Sequence, residues 1–132
     1  MKKTLLIAFS LVAVFFFAGT KDACAQWSVT VNYSDANCSC ATITSKTIEW
    51  EIRLVSDNSL YLSGSKAFDS IGTPYTLSED DEIIESTQFY VCIRINYFDA
   101  SIVEACCTGY GCTTTDSSGL VNGTASVIIT ME

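Results

Sequence analysis

The chain has 132 residues, 7 basic and 15 acidic side chains, a net charge of −8 and no histidine. A field of that sign repels phosphate backbones and anionic lipid, so nucleic acid and membrane surfaces are poor partners. The lack of histidine removes the commonest general base, the Ser-His and Cys-His nucleophile pairs and every histidine metal site.

Residues 1–25 read as a cleaved secretory signal. Lys2 and Lys3 supply the positive start, Leu5 to Ala18 is apolar apart from Ser10, and Ala23-Cys24-Ala25 is a small-x-small cleavage site. The apolar run is about 14 residues, short of the roughly 20 that span a bilayer, so no transmembrane segment is expected. Lipid anchoring at Cys24 would call for a Leu-like residue three positions earlier, where Lys21 stands. The short Lys-Lys start and the Ala-x-Ala-Gln junction resemble bacterial signals, which points to the periplasm or the medium. In that setting the sequons at Asn32, Asn37 and Asn122 are coincidental.

Residues 26–132 read as a single domain. Losing Lys2, Lys3, Lys21 and Asp22 leaves 4 basic and 14 acidic side chains, a net charge of −10 that keeps an exported protein soluble. Along this domain, apolar residues alternate with polar ones. Trp27, Val29, Val31 and Tyr33 share one parity, and Ile48, Trp50, Ile52 and Leu54 repeat the pattern. Ser56-Asp57-Asn58-Ser59 is a turn, and Leu60 and Leu62 open a third strand that Gly64 is expected to end. Thr76 to Ser86 breaks the pattern. Its Ser78-Glu79-Asp80-Asp81-Glu82 reads as an N-cap with acids in one helical turn, or as an acidic loop leading into a short Ile83-Ile84 strand.

Phe89 to Phe98 is the central strand, with Phe89, Val91, Ile93, Ile95 and Tyr97 inward. Tyr90, Cys92, Arg94, Asn96 and Phe98 point the other way. Asp99-Ala100 reads as a two-residue turn into a strand from Ser101 to Cys107, and Gly109-Tyr110-Gly111 as a further turn. Thr124 to Met131 forms the last strand, with Ala125, Val127, Ile129 and Met131 on one side. About seven strands at roughly ten-residue spacing give an all-β chain folded as an antiparallel β-sandwich. By strand count this architecture resembles immunoglobulin-like and transthyretin-like sandwiches. The Cys…Trp…Cys arrangement of antibody domains is missing.

Six cysteines remain after cleavage: Cys38, Cys40, Cys92, Cys106, Cys107 and Cys112. An even set in a small exported domain reads as a disulfide framework. A two-residue turn at Asp99-Ala100 would set Cys92 opposite Cys107, or opposite Cys106 after a one-residue slip. Such a bridge closes about 15 residues and contributes roughly 3 kcal/mol in the chain-entropy picture. The other four would form two more bridges. A zinc or copper cluster fits less well, because C-x-C is tighter than the usual zinc spacing, and no C-x-x-C redox motif occurs.

No motif marks an enzyme. Glu49 and Glu51 share one strand face, yet acids on such a face are ordinarily solvated, and the domain has little room for a cleft. Non-enzymatic contact with a protein partner, as a surface module, is the expected role. A small carbohydrate-binding module, engaging a surface glycan, is the alternative. The aromatics left over are Tyr61, Tyr75, Tyr90, Phe98 and Tyr110, and of these Tyr90, Phe98 and Tyr110 are the candidates to face a ligand. Glu79, Asp80, Asp81 and Glu82 offer the hard oxygens that calcium takes, but acid runs are mostly solvated, and no cofactor is expected.

Overall fold

The computed structural model describes residues 24–69, 72–100, 103–117, 119–121 and 125–132. The predicted signal through Ala23 lies outside the described residues. Strand β1 (Cys24–Ser34) lies centrally in a three-stranded sheet of order β4-β1-β7, with β4 spanning Tyr75–Ile84 and β7 Ser126–Thr130. The larger sheet has the order β3-β2-β5-β6, with β2 Ile43–Leu54, β3 Leu60–Ala67, β5 Phe89–Asp99 and β6 Ala105–Thr114. Neighbours run antiparallel except β1 and β7, which are parallel. The fold is thus the all-β sandwich that the alternation implies.

Period-two patterning sends one face of each sheet into a shared core. Trp27, Val29, Val31, Leu77, Ile83, Val127 and Ile129 come from one sheet, and Ile48, Trp50, Ile52, Val91, Ile93, Ile95 and Tyr97 from the other. The two tryptophans meet at 6.2 Å, tilted by 56°. Trp27 Nε1 is buried there without a hydrogen-bond partner, a cost of roughly 1–3 kcal/mol set against two large buried rings.

Four expectations need correction. The acidic stretch from Thr76 forms neither a helical turn nor a loop: it lies within β4, an edge strand. Leu77 and Ile83 anchor it in the core, and the β1–β4 register shifts between them, where Gln26 pairs with Glu82 but Trp27 pairs with Glu79. Charges and an irregular register on an edge keep it from pairing with other chains.

Strand β3 runs through Gly64 instead of stopping there. Gly64 pairs with Trp50, and a Cβ on it would come within 3 Å of the indole. The glycine is therefore a close-approach position under a ring and not a strand terminator.

The hairpin register also differs. Phe98 pairs with Ala105, and Cys92 faces Cys112. The connection is longer than two residues, and Cys107 pairs with Tyr97 on the core face, so it cannot meet the outward Cys92. The bridges are Cys92–Cys112, Cys38–Cys107 and Cys40–Cys106. Residues 106 and 107 point to opposite faces of β6, so the loop after β1 grips that strand from both sides.

Finally, Gly109-Tyr110-Gly111 lies inside β6 and is no turn. Its two glycines face inward against β7, where a Cβ on Gly109 would meet Ile129 and Met131, and one on Gly111 the carbonyl of Ile128. This closeness lets the sheets join: Thr108 and Glu132 exchange two backbone hydrogen bonds of 3.0 Å, and Gly109 bridges to Met131.

Candidate functional site

The outer face of the larger sheet carries the chain's mixed polar and aromatic surface. Its strands align Ser65, Glu49, Arg94 and Tyr110 in one row, with Ser63, Glu51, Cys92 and Cys112 in the next. Arg94 lies over the Tyr110 ring, its guanidinium carbon 5.5 Å from the centroid. Such a stack is worth about 0.5–1 kcal/mol at an exposed site and orders both side chains.

Two open depressions flank the stack. One, of about 410 Å³, is lined by Glu49, Glu51, Ser63, Ser65, Arg94 and Tyr110 among others. The second, of about 590 Å³, includes Asn96, Thr108 and Glu132 and shares only Arg94 and Tyr110 with the first. A hydrogen-bond chain crosses this region. Thr108 Oγ1 donates to Asn96 Oδ1 at 2.8 Å, and Asn96 Nδ2 donates to Glu49 Oε1 at 3.3 Å. Glu51 takes the guanidinium of Arg53 at 3.1 Å.

Charge divides unevenly between the sheets. Strands β1, β4 and β7 contain four acids and no base, whereas the larger sheet holds Lys46, Arg53, Lys66 and Arg94 against Glu49, Glu51 and Asp99. The outer face near Arg94 is close to neutral in a strongly acidic chain.

Of the predicted ligand-facing aromatics, Tyr110 is 58% exposed and Tyr90 39%, both outward on this face. Phe98 is half-buried at the end of β5. The six cysteines gather as bridges and not as a metal cluster. Glu79, Asp80, Asp81 and Glu82 spread along β4, and among the described residues no group of three or more acids or cysteines is arranged to hold a metal. Ser63, Ser65 and Thr108 were not among the predicted site residues. The sequence pattern ends β3 at Gly64 and makes Gly109-Tyr110-Gly111 a turn, so neither stretch has assigned faces. No local pattern signals this, because Trp50, the residue opposite Gly64, is distant in sequence.

Tyr97 and Lys66, both outside this face, have shifted proton affinities. Burial, reinforced by the hydrogen bond its hydroxyl donates to Asp35 Oδ2, holds the Tyr97 phenol well above its ordinary value. Burial alone would lower Lys66, but hydrogen bonding and charge from Glu79 and Tyr75 outweigh it and raise the amine above its ordinary range.

No known protein family, curated protein or solved structure matches the chain. Its class rests on the fold and covalent frame: a β-sandwich with three disulfides, which belong to an oxidising, extracytoplasmic environment. Among the described residues no helix is long and apolar enough to cross a membrane.

Proposed function

We propose that the chain is a non-enzymatic recognition module, exported by a bacterium after cleavage at Ala25, which engages its partner through the outer face of β3-β2-β5-β6. The observation that carries this reading is the pair of open depressions around the Arg94–Tyr110 stack. A face braced by strand pairing and pinned by Cys92–Cys112 is preorganised for contact. Its carboxylates are already engaged, Glu49 by Asn96 and Glu51 by Arg53, which suits binding better than proton transfer.

Contact with a protein is a second reading, favoured by the apolar positions beside the free edge of β3. Leu60 is 52% exposed and Val55 45%, and an edge strand offers unpaired backbone to a partner.

Photo-crosslinking in cells that export the protein tests the face. A photoreactive residue in place of Ser65 should yield an adduct with an extracytoplasmic component. One in place of Ile128, exposed on the smaller sheet, should not. Equal adducts from both positions, or none from Ser65, overturn the assignment.

A further inference from the structure

We infer that the Arg94–Tyr110 stack is a subsite for a neutral saccharide, with Tyr110 as the platform and Glu49 and Arg94 as hydrogen-bonding groups on its rim. The inference rests on the recognition face proposed above and names the ligand class that face takes.

The platform comes first. Tyr110 stands outward in mid-strand, contributes nothing to the core, and is directly opposite the arginine that stacks on it. One row away, Cys92–Cys112 ties the same two strands together. An exposed ring with restricted freedom suits the apolar C–H face of a sugar, because little ordering remains to be done on binding.

Charge then selects the ligand. An anion entering the first depression meets Glu49 and Glu51 in a chain of net charge −8, and a cation meets Arg94. A neutral ligand with adjacent hydroxyls satisfies both signs at once, donating to a Glu49 oxygen and accepting from an Arg94 N–H. The Asn96 amide on Glu49 Oε1 fixes that carboxylate and leaves it further acceptor capacity. Ser63 and Ser65 add hydroxyls on one side of the ring, Asn96 and Thr108 polar groups on the other. Because the depressions meet only at the stack, the ligand is a chain of sugars that crosses Tyr110, not a single ring in a pit.

The test is a titration of the exported, oxidised protein followed by amide NMR. The neutral probes are cellohexaose, xylohexaose, mannohexaose and chitohexaose; the charged probes are a galacturonate oligomer and a Lys-rich decapeptide. The expected result is that a neutral probe shifts the amides of Glu49, Arg94 and Tyr110. Tyr110→Phe should retain that binding. Tyr110→Ala should weaken it about tenfold, the equivalent of one well-placed aromatic contact, with the melting temperature unchanged.

Shifts confined to other surfaces, or binding indifferent to Tyr110→Ala, overturn the subsite. Shifts at these amides with a charged probe alone overturn the neutral ligand and leave the recognition face standing. Silence from every probe overturns the saccharide inference, while the Ser65 and Ile128 crosslinks decide the face independently.

Discussion

The sandwich is closed differently along its two sides, and the contrast shows how a small domain divides rigidity. Where β6 meets β7, the sheets join through backbone hydrogen bonds at Thr108 and Glu132, over two inward glycines, beside a loop pinned by Cys38–Cys107 and Cys40–Cys106. Where β3 meets β4, both are edge strands, and Lys66 reaches across to Glu79 and the carbonyl of Ser78. One seam is covalent and backbone-built. The other is built from side chains, an ion pair above an indole, with the Lys66 amine 6.0 Å from the Trp50 ring, and Phe68 packed edge-on against Tyr75 at 4.9 Å. Stability should therefore reside at the first seam and local opening at the second.

The largest effect should come from the paired staples. They close loops of 69 and 66 residues that nearly coincide. Replacing Cys38, Cys40, Cys106 and Cys107 together by alanine should lower stability by about 4 kcal/mol, because the whole closure is lost. Replacing only Cys40 and Cys106 leaves the same loop closed and should cost roughly 1 kcal/mol. Urea denaturation under non-reducing conditions reads both. A loss from the Cys40 and Cys106 variant of about half that of the four-cysteine variant would mean that the bridges act separately and not as one clasp.

Next is Gly111→Ala, expected to cost about 3 kcal/mol, because the new methyl meets the Ile128 carbonyl and a backbone cannot step aside as a flexible side chain can. Gly72→Ala is the control, since a Cβ there meets nothing within 4 Å. If both variants melt together, close approach at the joined seam is not what holds it.

These glycines also show where sequence stops being legible. Alternation exposes β1, β2, β5 and β7 because each buries one face, so Trp27, Trp50 and the inward row from Phe89 to Tyr97 fall where their parity puts them. It also turned Tyr90 and Arg94 outward. It fails for β4, where charges occupy both parities across a shifted register. It fails again for Gly64, Gly109 and Gly111, whose reason is a neighbour distant in sequence. Spacing alone signals a turn. The cysteine pairing was hidden for a related reason: the length of the 99–105 connection sets the register, and no local pattern sets that length. Tyr110 could be named as exposed, but its stacking on Arg94 needed the true register.

A third effect is alkaline. Tyr97 stays neutral in the folded chain to a higher pH than in the unfolded one, so its contribution is complete below about pH 10 and falls as pH rises beyond that. Lys66, also raised, has the same sign: its contribution is present below the unfolded value and lost as pH climbs through the folded one. Stability should be level through neutrality and fall above about pH 10. Tyr97→Phe should lose about 1 kcal/mol at neutral pH, with the bond to Asp35, and should show a shallower alkaline fall. An unchanged alkaline slope would remove Tyr97 from this account.

The smallest global effect is expected at the open seam. Lys66→Met keeps most of the stem over Trp50 but removes the charge. Both partners are about one-third exposed, at 33% and 30%, so solvent screens the pair and the loss should stay under about 1 kcal/mol. The local effect should be larger: amide exchange should quicken in β3 near Ser65 and in β4 near Ser78, while Val127 and Ile129 in β7 stay protected. High salt should reproduce part of this in the wild-type chain, because exposed charges are screened where backbone hydrogen bonds are not. If Lys66→Met instead lowers the melting temperature as far as Gly111→Ala, the ion pair is holding the sheets together and the two seams are mechanically alike. A change confined to β3 and β4 means that the sandwich opens like a book along the Lys66 side, with its spine at β6 and β7.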